Sequence, residues 1–360
     1  MNVLEYAIAG ADTLMNKFAP EELPPSDRFH YHQGVFLEGV DRVYKITGDK
    51  KYRDYIKAWV DYNVDSEGNI PNCHTDEFDD IQPGVLLFDL YRDTGDDRYK
   101  KPLEMFVQVI KDWPLNSEGA VWHKYHKPYQ MWLDCMYMMG VVTTRCAFEL
   151  DHPELFEYVY TFMKVMREHM TNPETGLLFH MYDESRTNPF VDEKGLIKVH
   201  WGRAISWVTV TMAEILEIIP ENHKYRGEFL DLFVSLMNNL KKYQDEKTGM
   251  WYQVVDRPND PRNWLETSGT ALIAYSAAKG VRLGFLDESF REVAMRGYEG
   301  ELTKVRVENG EVDISGICVG TGVGPLGYYL NRPTSSNDLH GMGAFLMLTA
   351  EIYMLENGIK

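Results

Sequence analysis

The sequence predicts an all-α fold, a single (α/α)6 barrel of six inner helices ringed by six outer ones. Three observations lead there. Glycine-bearing turns recur at Gly68, Gly119, Gly176, Gly249 and Gly310, 51 to 73 residues apart. A short polar link lies midway between successive turns. The helical stretches also alternate in character, one apolar on every side and the next apolar along one stripe. A helix that is apolar all round belongs inside, and a one-sided helix outside. An irregular repeat with two helices per unit marks a helical array, and closing six pairs into a toroid buries every inner helix.

The elements follow in order. Residues 2–18 make an outer helix. The first inner helix begins near Tyr31 in "YHQGVFLEGV", and the link "TGDKKY" leads to the amphipathic "KKYRDYIKAWVDYNV". The turn "VDSEGNIPN" then brings in the second inner helix near Asp80, closed by "TGDDRY". "LNSEGAVWHK" precedes the third, near Met131, and "LDHPEL" opens the outer "HPELFEYVYTFMKVMREHM". "TNPETGLLFHMYD" precedes the fourth, near Gly202, which ends at "ENHKYR". "QDEKTGMWYQVVD" precedes the fifth, near Glu266, which ends at "LDESFR". "VENGEVDIS" precedes the sixth, near Leu339. Convincing alternating strand segments are few. Length alone allows about two domains, but the repeat joins residues 1–360 into one.

The chain is 44% hydrophobic and 26% charged, as an ordinary globular protein is. Its net charge of -18 disfavours a general nucleic-acid or acidic-membrane binder, because both need a basic surface. It leaves room for a small anionic ligand, since salt screens charges beyond roughly 8 Å and local groups then dominate. Cys73, Cys135, Cys146 and Cys318 form no CxxC pair and read as reduced thiols. The first twenty residues lack the basic-then-apolar pattern of a signal peptide. No stretch reaches the roughly 18 apolar residues of a membrane span. A cytoplasmic enzyme is the expectation, with no cofactor.

In such a ring all inner helices point the same way, so their N-terminal ends share one mouth. The residues there are aromatic and ionisable: "FHYHQG" (29–34), "HTDEFDDIQPG" (74–84), "WHKYHKPYQMWLD" (122–134), "HWGRAISW" (200–207), "NWLETSG" (263–269) and "SSNDLHGMG" (335–343). Aromatic walls with a few polar groups suit a ligand pocket, and tryptophan and tyrosine suit sugar faces. Asp134 sits among Met131, Trp132, Leu133, Cys135, Met136, Met138 and Met139. A carboxylate buried without a partner is costly and tends to take up a proton, which makes it a candidate proton donor. Asp79 and Asp80 open the second inner helix, where capping and catalysis are both open to them. Two carboxylates at a sugar-sized mouth suggest glycosidic chemistry. Arg203 and Trp207 share a helical face, and arginine matches a carboxylate bidentately. His123, His126, His180 and His200 match no zinc spacing, so no metal is expected.

These motifs resemble the unsaturated uronyl hydrolases, glycoside hydrolase family 105, the unsaturated rhamnogalacturonyl hydrolases, with family 88 as nearest relative. The likeness runs from about Tyr31 to near the C-terminus through "YHQGVFLEGV", "DDIQPG", "HKPYQMWLDCMYM", "HWGRAISW", "WLETSGTALIAYSAAKG", "ISGICVGTGVG" and "YYLNRPTSSNDLHGMGAF". It implies an (α/α)6 barrel that acts on a terminal uronic acid with a double bond between C4 and C5. The enzyme protonates C4, water adds at C5, and the hemiketal opens to release the next sugar. By resemblance Asp134, in "MWLD", is the general acid and base. The assisting aspartate corresponds to Asp79, with Asp80 the alternative. Tyr31, Lys124, His180, Trp201, Arg203 and Trp207 fall where the family holds the unsaturated sugar. The competing readings are a conventional inverting glycosidase and a non-catalytic sugar-binding barrel.

Overall fold

Two local devices build the helical units. α1 (Val3–Lys17) opens with a capping box, Asn2 and Glu5 each bonding the other's backbone N–H. Inner and outer helices then alternate: α2 (Tyr31–Thr47) inside, α3 (Lys50–Asn63) outside, then α4 (Val85–Thr94), α5 (Asp97–Lys111), α6 (Cys135–Glu149), α7 (Phe156–Met170), α8 (Gly202–Ile218), α9 (Arg226–Lys241), α10 (Thr267–Arg282) and α11 (Ser289–Leu302). A short α12 (Leu326–Leu330) precedes the last inner helix, α13 (Leu339–Glu356). This computed structural model describes residues 1–359.

The first device is the "TGD" link. Gly48 and Gly95, at φ 69° and 67°, stop α2 and α4 in the left-handed conformation that glycine adopts without strain. The next residue, Asp49 or Asp96, accepts the N–H of Lys51 or Arg98 and starts the outer helix. The second device is the repeat turn. All five of its glycines have φ between 69° and 85°. A Cβ on Gly249 would lie 2.2 Å from the Arg296 carbonyl oxygen. Asp65, Asn116, Asn172 or Asp245 folds the first four turns by accepting backbone N–H groups.

Each inner helix packs on the next, and α13 packs on both α10 and α2, which closes the ring. The seam is drawn tight by glycine: a Cβ on Gly343 would lie 2.3 Å from the Val35 carbonyl oxygen. α1 covers α13 from outside.

Two helix starts differ from the sequence expectation. Asp80 lies in a 3-10 turn (Phe78–Asp80). A second such turn (Gln82–Gly84) follows, and α4 begins only at Val85, after a proline and a glycine. Met131 lies on a strand, and α6 begins at Cys135. The strands are short and antiparallel. β1 (Gln130–Trp132), β2 (Met181–Asp183) and β3 (Leu196–Ile197) form one sheet. β4 (Trp251–Tyr252) pairs with β5 (Leu265–Glu266), β6 (Val305–Glu308) with β7 (Glu311–Ile314), and β8 (Ile317–Cys318) with β9 (Thr334–Ser335). Runs of two to four residues carry too little alternation to be read from sequence. Several of them brace the segments that lead into the inner helices.

The far end of the ring, at the C-terminal halves of the inner helices, is filled with paired charge. Lys279 is fully buried, and its Nζ lies 2.6 Å from Glu214 and 2.7 Å from Glu217. Arg42 donates to Glu214 at 2.9 Å, Arg282 pairs with Glu351, and Tyr137, from the first turn of α6, reaches down to donate to Glu38 at 2.6 Å. These groups tie α2, α6, α8, α10 and α13 together. A hollow of about 430 Å³ lies among them, but its side chains answer one another.

Candidate active site

At the mouth, residues from five segments surround a cavity of about 280 Å³. The head of α2 supplies His30, Tyr31 and His32. The 3-10 turn before α4 supplies Asp79. The chain running into α6 supplies His123, Lys124, Trp132 and Asp134, α6 itself supplies Met138, and the loop after β8 supplies Gly320, Thr321 and Gly322. Asp79 and Asp134 therefore line one pocket, although 55 positions separate them in the chain.

Asp134 is not the unpartnered acid that its apolar neighbours suggest. It is 8% exposed, and its Oδ2 lies 2.9 Å from His180 Nε2. His180 Nδ1 lies 2.6 Å from the Tyr329 hydroxyl. A neutral imidazole satisfies both contacts when Tyr329 donates to Nδ1 and Nε2–H donates to Asp134. Asp134 stands at the N-terminal boundary of α6 but makes no side-chain capping bond, so its carboxylate is left for the pocket. Among the described residues no lysine or arginine nitrogen lies within 4 Å of it.

Asp79 is held differently. Lys124 Nζ reaches its Oδ2 at 2.6 Å, and His123 Nε2 lies 3.4 Å from Oδ1. Burial opposes ionisation, but His123 and Lys124 outweigh it and hold the Asp79 carboxyl well below the usual range. Lys124 also bonds Glu77 at 2.6 Å. Burial pulls His30 down to about 4 and His32 down to about 3, so both rings are neutral near pH 7.

Asp80 turns the other way. It is fully buried, paired with Arg28 and bonded to the His74 N–H at 2.9 Å, and burial pushes its carboxyl up to about 7 against the pull of Arg28. The open choice between the adjacent aspartates therefore falls to Asp79 as the pocket residue.

The expected sugar-binding set divides. Tyr31 and Lys124 line the cavity. His180 is fully buried behind Asp134 rather than in the open pocket. Trp201 is buried over His180, with ring centroids 4.8 Å apart, and its Nε1 donates to Gln253. Trp207 stacks on Tyr137 at 4.6 Å and belongs to the barrel core. Arg203 is 1% exposed beneath Trp201. Its guanidinium donates to the carbonyls of Cys318 at 2.5 Å and Val319 at 2.9 Å and faces Glu266 at 4.0 Å. Glu266 in turn accepts the Cys318 N–H at 2.9 Å. Arg203 thus anchors the loop that forms one wall, and its fork is engaged by that loop.

His30, His32 and the Gly320–Thr321–Gly322 wall carry no separate signal in the sequence, although each lies in a motif quoted above, while His123 stands out there only as a metal-type histidine and Trp132 only as an apolar neighbour of Asp134. Tyr329 carried no signal of its own. Three groups place metal-type donors within 4.8 Å of one another: His30–Glu77–Asp79, His74–Glu77–Asp80 and His32–Asp338–His340. Lys124 and Arg28 already answer the carboxylates of the first two.

A closed ring of helix pairs with two carboxylates in a one-sugar pocket at its mouth has the build of a carbohydrate-cleaving enzyme. Comparison with known proteins agrees. Residues 7–356 match the model of Glycosyl Hydrolase Family 88, and the chain belongs to that family. It is a glycosidase. A curated relative, the unsaturated rhamnogalacturonyl hydrolase YesR of Bacillus subtilis (strain 168), is 30% identical over 250 residues, 67% of each chain. A solved family 105 glycoside hydrolase from C. acetobutylicum ATCC 824 superposes with a TM-score of 0.92 at 32% identity, covering 97% of this chain and 99% of that one. The unsaturated glucuronyl hydrolase of Bacillus sp. GL1 shares the fold, with a TM-score of 0.73 at 17% identity over 99% and 97% of the two chains. Among the described residues no helix is long and apolar enough to cross a membrane.

Proposed function

We propose that this enzyme removes a terminal 4,5-unsaturated uronic acid from lyase-generated oligosaccharides, with unsaturated galacturonyl-rhamnose as substrate and the cytoplasm as its place of action. The observation that carries the reading is the unequal setting of two carboxylates in one small cavity. Asp79 is held as an anion by Lys124 and His123. Asp134 meets one donor, His180, and keeps hydrogen-bonding capacity toward the sugar.

The chemistry follows from the substrate. C4=C5 with the ring oxygen on C5 is an enol ether, so its nucleophilic carbon is C4. Asp134 gives its proton to C4, and positive charge develops over C5 and the ring oxygen. The Asp79 anion offsets that charge and accepts hydrogen bonds from ring hydroxyls. Water then adds to C5 and returns a proton to Asp134. The hemiketal breaks its C5–O5 bond to leave a ketone at C5, and the hemiacetal at C1 expels the next sugar. His180 and Tyr329 hold the acid in place. The test is to offer lyase-generated unsaturated disaccharides and follow the conjugated C=C absorbance. Cleavage of the saturated counterpart at a similar rate would favour a conventional inverting mechanism instead.

A further inference from the structure

The pocket of about 280 Å³ lies just under the roughly 300–1,000 Å³ of a typical small-molecule site, so it seats one sugar ring. The rest of an oligosaccharide must cross the rim. One loop leaves the pocket wall and returns to it on the side of the acid. Its flanks, His123 and Lys124 before it and Trp132 and Asp134 after it, line the pocket. The His123 N–H donates to the Gln130 carbonyl at 3.0 Å and ties the ends together. Gln130 also accepts from Trp132 Nε1, which fixes the loop to the pocket wall.

Between those ends, residues 125–129 present Tyr125 and Tyr129, 43% and 40% exposed. Both rings are backed from below, Tyr125 by Trp113 at 4.7 Å and Tyr129 by Trp122 at 4.9 Å. They are rigid platforms rather than loose side chains. Tyr129 also has φ 64°, a left-handed conformation that disfavours a large side chain. Packing sustains it nonetheless, as happens where a surface serves a ligand. His126 and Lys127 lie between the two rings, both exposed, in a protein of net charge -18. Two acids meet the loop through their backbones: the Asp76 carbonyl accepts the Tyr125 N–H at 2.9 Å, and Glu184 donates its N–H to the Tyr129 carbonyl at 3.3 Å while its carboxylate turns to Ser117.

We propose that residues 125–129 form an outer subsite for an acidic sugar ring of the same oligosaccharide, beyond the ring seated in the pocket. Tyr125 and Tyr129 stack on the sugar and Lys127 meets its carboxylate. The subsite rests on the reading of the pocket given above. It makes the enzyme prefer longer fragments, in which uronic acid and a neutral sugar alternate, over the disaccharide.

The test compares an unsaturated disaccharide with an unsaturated tetrasaccharide of alternating uronic acid and rhamnose. Wild type is expected to show the lower KM on the tetrasaccharide. Tyr125→Ala and Tyr129→Gly are each expected to raise that KM about three- to tenfold, the worth of one aromatic platform, and to leave the disaccharide unchanged. Glycine tolerates the left-handed backbone, so Tyr129→Gly keeps the loop. Tyr129→Trp should retain the preference, and Lys127→Gln should weaken it most at low salt. Equal KM values for the two lengths in wild type, or equal losses on both in the variants, would overturn the subsite. Titration calorimetry of the tetrasaccharide into Asp134→Asn, with and without Tyr125→Ala, reads the same subsite without turnover. Failure of wild type to consume either substrate would instead count against the proposed reaction, and the calorimetry would still decide the loop.

Discussion

At the far end of the ring, Glu214 is met by Arg42, Lys279 and Tyr275. At the mouth, Asp134 is met among the described residues by His180 alone. Both carboxylates are buried, both sit on or beside inner helices, and both belong to clusters of charged and aromatic groups. The difference lies in what is left over. Glu214 has its bonding capacity filled from three sides, and its neighbours hold it well below the ordinary carboxylate range despite burial. It can do little but tie helices together. Asp134 keeps capacity toward an open cavity. Burial and charge density are thus poor guides to a catalytic carboxylate, and unspent hydrogen-bonding capacity beside a cavity is a better one.

Unpairing the far end should cost the molecule most. Lys279→Met leaves Glu214 and Glu217 without their shared cation, and removing one partner of a buried pair typically costs about 3–5 kcal/mol. Chemical denaturation should show that loss, while kcat of the folded fraction stays the same. A fall in kcat at unchanged stability would mean that the two ends are not separate.

At the mouth, Asp79→Asn is expected to lower kcat/KM by about 10²-fold, the lower part of the range for a positioned carboxyl group. Asp80→Asn should do so much less, because Asp80 faces Arg28 and the His74 backbone. The reverse order would put the wrong aspartate in the pocket.

Arg203→Ala sharpens the contrast between anchoring and reading. Each lost bond to the wall loop costs about 1.5–3 kcal/mol. Since the guanidinium holds the carbonyls of Cys318 and Val319, the variant should penalise a substrate and its methyl ester alike. A penalty confined to the free acid would show that Arg203 reads the sugar carboxylate.

The smallest effect concerns Glu301, fully buried with neither carboxyl oxygen bonded. Burial raises its carboxyl well above the ordinary value in the folded state. A raised folded value means stability that is present at acid pH and lost as pH climbs through it. Glu301→Gln should therefore gain in Tm relative to wild type between pH 5 and pH 8. A gain that stays flat with pH would contradict this.

Much of this was legible in the sequence for identifiable reasons. The "TGD" links and the five glycine turns are local chemistry, fixed by φ and capping within a few residues, and the alternation of apolar and striped helices is periodic. Those signals carried the barrel and the mouth. Asp134 stood out because its neighbours are apolar. Its partner did not, because His180 reaches it from the segment just before β2, 46 positions along the chain, and only the closed ring shows which donor arrives. Arg203 and Trp207 illustrate the converse. Their spacing places them on one face, but spacing does not show that backbone carbonyls and Tyr137 already occupy them. The choice between Asp79 and Asp80 likewise hung on a 3-10 turn that a helical pattern does not distinguish from a helix start.

If Asp134 protonates C4, loss of the double bond is the step that frees the next sugar. The direct measurement follows C=C absorbance and sugar release together, on an unsaturated disaccharide, in wild type and in Asp134→Asn. Wild type should lose one double bond for each sugar released, in step from the first turnover. Asp134→Asn should lose both activities by about 10²–10⁴-fold, the worth of a general acid, with unchanged circular dichroism. Sugar release that outpaces loss of the double bond, or an Asp134→Asn enzyme of near-normal rate, would contradict the account.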